Sequence, residues 1–252
     1  GSDAAGIKTK AVKSGNVWSI NGTKTFISNA GTKISDGLVL MAVTGKKDNG
    51  KNEITSFSIP QGVEGFKLGQ SWNKMAWHGM TNNELVFDNC RIPSENIIGD
   101  IGNGLKIALS GLNLGRIAFG AISTGLIQGC LDHSLAYAKD REQFGKPISN
   151  YQLIQAKLAD MATNCEVARR MTLYAAFLES SGVECQNEAA MTKLFCTNVA
   201  TQASLDAFQI HGGYGFMQEY TVNRFFREAK MLEIGEGTNE IMKLFIAKPL
   251  GC

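Results

Sequence analysis

Hydrophobic and polar residues alternate in short runs over the first hundred positions and recur at helical spacing afterwards. Ile7 to Val12 alternates as a half-buried strand does. Ser14-Gly-Asn16 signals a turn, Val17 to Ile20 a short strand, and Asn21-Gly22 a two-residue hairpin turn with Thr23 to Ser28 as its return strand. Leu38 to Val43 is a continuous apolar run of the kind a buried strand shows. Ile54 to Ile59 and Glu84 to Phe87 follow, with Phe66 to Leu68 a weaker strand and Lys46 to Asn52 a polar loop. Short strands at this spacing predict a barrel or sandwich.

From Gly102 the period is helical. A long helix is predicted from Gly104 to Lys139, although it contains Gly104, Gly111, Gly115, Gly120, Gly125 and Gly129. Each interior glycine costs about 1 kcal/mol relative to alanine, so close helix packing or backbone approach to a ligand is implied. Ser149-Asn-Tyr-Gln152 has the form of a capping box opening a second helix, which ends near Gly182. A third helix runs from Glu188 to Ile210 and stops at Gly212-Gly213, a shorter one covers Met217 to Ala229, and the last starts near Thr238. Long helices with short connections predict a bundle. The fold class is thus α+β: a small β-barrel or sandwich domain (residues 1–100) followed by an antiparallel four-helix-bundle-like domain (residues 101–252).

Composition narrows the function classes. Apolar content of 44% and charged content of 19% describe a soluble globular chain, and a net charge of +2 gives no reason to expect nucleic acid or a membrane surface. The longest uncharged run, Ile117 to Leu131, falls short of the roughly 20 apolar residues a membrane span needs. Cys90, Cys130, Cys165, Cys185, Cys196 and Cys252 lack any C-x-x-C spacing, so reduced, buried thiols are expected rather than disulfides or zinc. His78, His133 and His211 are scattered, and no metal site is expected. Reduced thiols favour a cytoplasmic or organelle-matrix setting.

The chemistry concentrates in Lys230-Met-Leu-Glu-Ile-Gly-Glu-Gly-Thr-Asn-Glu-Ile241. Gly235 and Gly237 bracket Glu236, which places a carboxylate on a bare turn. Thr238 and Asn239 can cap the helix that follows. A carboxylate just ahead of a helix N-terminus is placed for proton abstraction, with amide donors near enough to stabilise a developing negative charge. From its sequence alone the turn reads first as an ordinary helix entry, with Glu236 a plain turn residue.

The segment resembles the catalytic stretch of the acyl-CoA dehydrogenases, where an acid-Gly-Thr/Ser turn opens the last helix. Ser2-Asp-Ala-Ala-Gly-Ile-Lys8, Asn21-Gly-Thr-Lys24, Arg141-Glu-Gln-Phe-Gly145, Glu188-Ala-Ala-Met-Thr-Lys-Leu-Phe195 and Gln209-Ile-His-Gly-Gly-Tyr-Gly215 are similar to family signatures in the same order. The resemblance covers nearly the whole chain. It implies the family's middle β-domain and C-terminal helical domain, with an N-terminal helical domain absent from this sequence.

The resemblance implies Glu236 as the catalytic base. Some members carry the acid on the first helix of this region, just before an arginine matching Arg116, where this chain has Gly115. Arg116 reads either as a structural cation or as a wall of the substrate channel. Glu240 reads as a first-turn acid suited to the helix dipole. The resemblance implies FAD contacts at Phe26, often tryptophan in the family, at Ser28 and at Thr238. It implies further contacts with a neighbouring subunit's FAD at Arg141, Phe144, Gln209, Gly212 and Gly213, hence a homodimer or homotetramer. Acyl-CoA is expected near Ser2, Gly115, Arg116, Gly235 and Gly237. Many relatives have tyrosine where Gly235 stands, so a wider acyl pocket is expected. His211 reads as structural. The implied reaction is α,β-dehydrogenation in fatty-acid β-oxidation, with electrons passed to an electron-transfer flavoprotein in the cytoplasm or mitochondrial matrix. Acyl-CoA oxidase, enoyl-CoA reductase and a non-catalytic flavin-fold subunit are the alternatives.

Overall fold

In the computed structural model, which describes residues 1–251, seven strands precede five α-helices. The chain divides into two compact units that meet in sequence at Gly111 and Leu112. Each is described by itself.

The first unit contains β1 (Lys10–Ser14), β2 (Val17–Ser28), β3 (Gly37–Lys46), β4 (Asn52–Pro60), β5 (Phe66–Ser71), β6 (Asn82–Pro93) and β7 (Ile97–Ile98). They form one sheet in the order β5-β6-β2-β1-β3-β4-β7. The β1–β3 pair is parallel and its other neighbours are antiparallel, so the sheet is mixed. Ile20, Leu40, Phe57, Ile59, Leu85 and Ile92 are buried in its core beside Trp18. Burial of each such side chain contributes about 1.5–3 kcal/mol. Trp18 meets Phe57 edge-on at 5.5 Å, and its indole N–H donates to Ser94 Oγ at 3.1 Å.

Asn21-Gly22 does not form the expected hairpin. Strand β2 continues through it, paired with β6 from Val17 to Ser28 with irregularities after Ile20 and Lys24. The hairpin lies earlier, where Ser14 pairs with Val17 around Gly15-Asn16 and Gly15 has φ of 61°. Gly22 serves close approach instead: Thr9 Cα stands 2.8 Å from where a Cβ would be. A glycine used this way marks a bulge within a strand rather than a turn.

The helices are α1 (Gly104–Asp140), α2 (Gln152–Ser180), α3 (Gln186–His211), α4 (Thr221–Ile234) and α5 (Asn239–Ala247). Within the second unit α1 runs antiparallel to α2, with Ile117 in one cluster with Ala175 and Gln128 against Cys165. Helix α3 presents small residues to its neighbours: Ala189, Ala190, Cys196, Thr197, Ala200 and Ala203 are all buried. The expected capping box is not formed. Ser149 lies in a 3-10 turn, Ile148–Asn150, and α2 starts after Tyr151 with no side-chain cap. The register fails because Pro147 holds the chain extended and the 3-10 turn takes up the serine. Helix α4 starts at Thr221, not Met217, because Gly212–Phe216 closes into 3-10 turns, and it continues to Ile234 because no breaker precedes Gly235.

Helix α1 is long and apolar enough, by length and composition, to cross a bilayer. Its buried Arg116 and its packing of Gly120 on Thr172 and Thr192 are those of a bundle helix. Among the described residues, Cys90, Cys130, Cys165, Cys185 and Cys196 are free and buried, and no group of His, Cys, Asp and Glu could hold a metal. Burial pushes the Cys130 thiol up to about 12. Cys252 lies outside the described residues.

The start of α1 gives a direct test within the first unit. A Cβ on Gly104 would stand 2.6 Å from the Thr55 carbonyl carbon and 2.7 Å from the Ser56 nitrogen, whereas one on Gly111 meets nothing within 4 Å. Gly104→Ala is expected to lower stability by about 1–3 kcal/mol in urea unfolding. Gly111→Ala is expected to be neutral or stabilising by up to about 1 kcal/mol in the same measurement.

Candidate active site

The segment between α4 and α5 is four residues long and tightly specified. Gly235 ends α4 with φ of −68°, its N–H donating to the Met231 carbonyl at 2.9 Å. Glu236 follows with φ of 54° and Gly237 with φ of 91°. Thr238 is the N-cap of α5, its hydroxyl oxygen accepting the Ile241 N–H at 3.3 Å. The left-handed conformation therefore falls on the acid itself, at a cost of about 1–2 kcal/mol. Glu240 is the expected first-turn acid, and its own N–H and the Thr238 hydroxyl hold its carboxyl below the usual value.

Gly115 on α1 faces this turn. A Cβ there would lie 2.8 Å from Glu236 Cδ and closer still to Oε2, so the carboxylate rests on bare backbone. The next residue, Arg116, is 3% exposed, stacks its guanidinium over the Phe245 ring at 4.6 Å, and leaves its Nε without a hydrogen bond. Burial pushes this guanidinium down from its ordinary value, and the charge on Glu236 opposes that shift. Gly235 is a glycine for space rather than conformation: a Cβ would stand 2.8 Å from the Phe119 ring and 3.2 Å from Met231 Sδ. Phe119 on α1 is thus the ring nearest to position 235.

A second group of expected site residues shares a concavity of about 560 Å³ lined by Tyr137, Arg141, His211, Gly212, Gly213 and Tyr214. The Arg141 guanidinium lies 5.7 Å from the Tyr214 ring. Gly212 has φ of 56°, and neither Gly212 nor Gly213 has an atom within 4 Å of a Cβ position. A cation, bare glycine backbone and aromatic walls suit a phosphate joined to a planar ring. Gln209 is exposed, and its carbonyl accepts the Gly212 N–H. His211 is buried, stacked on Tyr137 at 4.2 Å, with Nδ1 2.8 Å from the Ala207 carbonyl. Burial lowers its basicity, which suits a neutral ring donating from Nδ1. Phe144 lies outside this concavity. It is 94% exposed at the tip of a two-residue ladder between Glu142–Gln143 and Lys146–Pro147, with φ of 54°, edge-on to Tyr151.

In the first unit, Phe26 sits at the second irregularity of β2 with φ of 60°, exposed and 5.5 Å from the Trp72 ring. The Trp72 indole N–H donates to Thr25 Oγ1 at 3.2 Å. Ser28 is exposed at the end of the same strand, opposite Asn82, and Ser2 is exposed near the start of the chain.

Among the described residues, six non-glycines have positive φ, and three of them are Phe26, Phe144 and Glu236. The other three are Asn29, Trp77 and Asn89, and the two asparagines are residues that adopt this conformation more readily. Sequence reading missed Lys193 and Phe119. Lys193 is fully buried, donating to Asn239 Oδ1 at 2.8 Å and to the Glu233 carbonyl at 3.1 Å. Its signal was a lysine at helical spacing within a stripe of alanine, threonine and cysteine. Phe119 stands one turn after Gly115 on the same helix face, which the glycine pattern alone could have indicated.

The fit around Gly235 yields a paired test. Gly235→Tyr is expected to lose about 1–3 kcal/mol in urea unfolding, because its Cβ meets the Phe119 ring. Adding Phe119→Ala is expected to restore at least half of that loss.

Residues 1–90 match the acyl-CoA dehydrogenase middle domain, and residues 102–251 match the acyl-CoA dehydrogenase C-terminal domain. A probable acyl-CoA dehydrogenase of Bacillus subtilis is 45% identical over 99% of this chain and 65% of its own length. An acryloyl-CoA reductase (NADH) of Anaerotignum propionicum is 42% identical over 98% of this chain and 63% of its own length. Butyryl-CoA dehydrogenase from Megasphaera elsdenii superposes with a TM-score of 0.96 at 38% identity, covering 100% of this chain and 65% of that one. The chain thus spans about 65% of the length of the relatives it matches. With matched domains in series and this level of identity, the chain belongs to the acyl-CoA dehydrogenase family.

Proposed function

We propose that the protein catalyses flavin-dependent α,β-dehydrogenation of an acyl-CoA thioester to the trans-2-enoyl-CoA, with Glu236 as the base. The observation that carries this reading is the half-buried Glu236 carboxylate, held at positive φ against the bare backbone of Gly115. Because Gly115 carries no side chain, the carboxylate can settle directly against α1 instead of being pushed away from it.

The residues present fit FAD. Arg141, Gly212 and Gly213 would hold its pyrophosphate and Phe144 would pack near its adenine, with Gln209 alongside. In the family arrangement these residues serve a neighbouring subunit's cofactor, which makes the working protein a homodimer or homotetramer. Phe26, Ser28 and Thr238 would contact the flavin of their own subunit. FAD, when bound, supplies the acceptor for the hydride that leaves the β-carbon.

The chain's own task is the α-proton. A Glu236 carboxylate oxygen removes it, and the backbone N–H of Glu236 donates to the thioester carbonyl as enolate charge develops, an oxyanion-hole arrangement. Arg116 lies buried next to Gly115 on α1, and its own guanidinium is pushed down by burial and raised by the Glu236 charge. Ser2, Gly235 and Gly237 are the further acyl-CoA contacts of this reading. An electron-transfer flavoprotein is the acceptor proposed for the next step, in β-oxidation. The relatives named above are bacterial, which favours the cytoplasm over a mitochondrial matrix. A second reading, enoyl-CoA reduction on the same site, is favoured by the similarity to an acryloyl-CoA reductase.

Glu236→Gln is expected to retain FAD while losing anaerobic flavin bleaching by acyl-CoA by at least a thousandfold. Stopped-flow absorbance measures it, and bleaching at the wild-type rate would remove Glu236 from the role of base. Anaerobic addition of saturated and enoyl thioesters to oxidised and reduced protein in turn separates the two directions.

A further inference from the structure

The group that fixes the catalytic turn is a buried cation. Lys193 is fully buried in the N-terminal third of α3. Its Nζ donates to the Glu233 carbonyl, in the last turn of α4, and to the side-chain oxygen of Asn239, the first residue of α5. Those two acceptors flank the segment 234–238. Asn239 is held from other sides as well. Its Oδ1 accepts from Thr197 Oγ1 at 3.0 Å, and its Nδ2 donates to Asn198 Oδ1 at 2.8 Å. One ammonium therefore ties the C-terminal end of one helix to the N-terminal end of the next across the turn that carries Glu236.

Such a tie is needed because Glu236 stands in a conformation its own backbone disfavours. A cation also suits the last turn of α4, where unpaired carbonyls carry the negative end of the helix dipole. Uncharged side chains of similar length bury more readily than lysine, so the ammonium at this position points to a task beyond packing.

We propose that Lys193 is a positioning residue that clamps α4 to α5 and thereby holds the Glu236 carboxylate against Gly115 in register for proton abstraction. This role rests on the reading of Glu236 as the base. The charged groups acting on Lys193 are Glu233 from α4, Glu240 from α5, Arg116 from α1 and Glu236 from the turn. Burial is the largest effect and pushes the ammonium down to about 8 from 10.5; Arg116 acts in the same direction and the three carboxylates oppose it. The sign of the linkage follows. Between about pH 8 and 10.5 the unfolded chain keeps a proton that the folded chain releases, so this residue's contribution to stability rises with pH there.

The test compares Lys193→Met, Asn239→Leu and Asn239→Asp with the parent in the FAD-loaded protein. Lys193→Met and Asn239→Leu are expected to speed amide hydrogen exchange of the segment 234–239 at least tenfold, with exchange in α2 unchanged. They are also expected to slow wash-out of α-deuterium from acyl-CoA at least thirtyfold, with acyl-CoA dissociation constants within threefold of the parent. Asn239→Asp keeps the oxygen that Lys193 needs but loses the Nδ2 donor to Asn198, and is expected to lose at least fivefold less than Asn239→Leu in both measurements. The parent's stability should rise relative to Lys193→Met from pH 8 to 10. Unchanged exchange in the turn, or an equal loss of rate in Asn239→Asp and Asn239→Leu, overturns the clamp. If Lys193→Met does not fold, the two Asn239 variants decide alone. Full activity in Glu236→Gln would remove the base assignment but leave the exchange result to judge the clamp itself.

Discussion

The contact between the Glu236 carboxylate and the bare backbone of Gly115 sets what the rest of the helical unit must do. A carboxylate can rest on a helix only where no Cβ intervenes, and it can reach that helix only if the turn bearing it is held open at positive φ. The first condition is met by a glycine that weakens α1, the second by a strained residue. Both costs, about 1 kcal/mol for the glycine and about 1–2 kcal/mol for the left-handed glutamate, are borne by surrounding packing. Small residues on α3 let its neighbours approach closely, and Lys193 joins the two ends of the turn.

The same principle, backbone strain in exchange for side-chain aim, recurs at Phe26 and Phe144. Phe26 is turned outward where β2 loses register with β6, and Phe144 stands on the tip of a short ladder beside Gly145. Neither ring is buried, so neither conformation is explained by core packing. Each ring has one aromatic neighbour within its own unit, Trp72 for Phe26 and Tyr151 for Phe144, and otherwise faces outward.

The sheet, the helices and the acid turn were legible because each leaves a local mark: period-2 runs, helical stripes, and a glycine pair around one carboxylate. The errors arose where one dipeptide has two uses. Asn21-Gly22 satisfies hairpin chemistry, yet Gly22 is used for close approach of Thr9, and β2 runs on through it with an irregularity in its pairing to β6. Ser149 has capping spacing, yet Pro147 commits the chain to a 3-10 turn first. At Gly235 the nearest ring is that of Phe119 on another helix, a neighbour that the local sequence does not reveal. Lys193 was invisible for a different reason: burial of a charge is decided by partners forty or more positions away, Glu233 and Asn239.

Gly115 also constrains how this site can change over descent. A side chain rooted at 115 would meet the carboxylate end of Glu236 first, so any residue larger than glycine there moves the acid off its present seat on α1. The identity of residue 115 therefore sets the rotamer of residue 236, and the two positions are read as one unit when the chain is compared across descent.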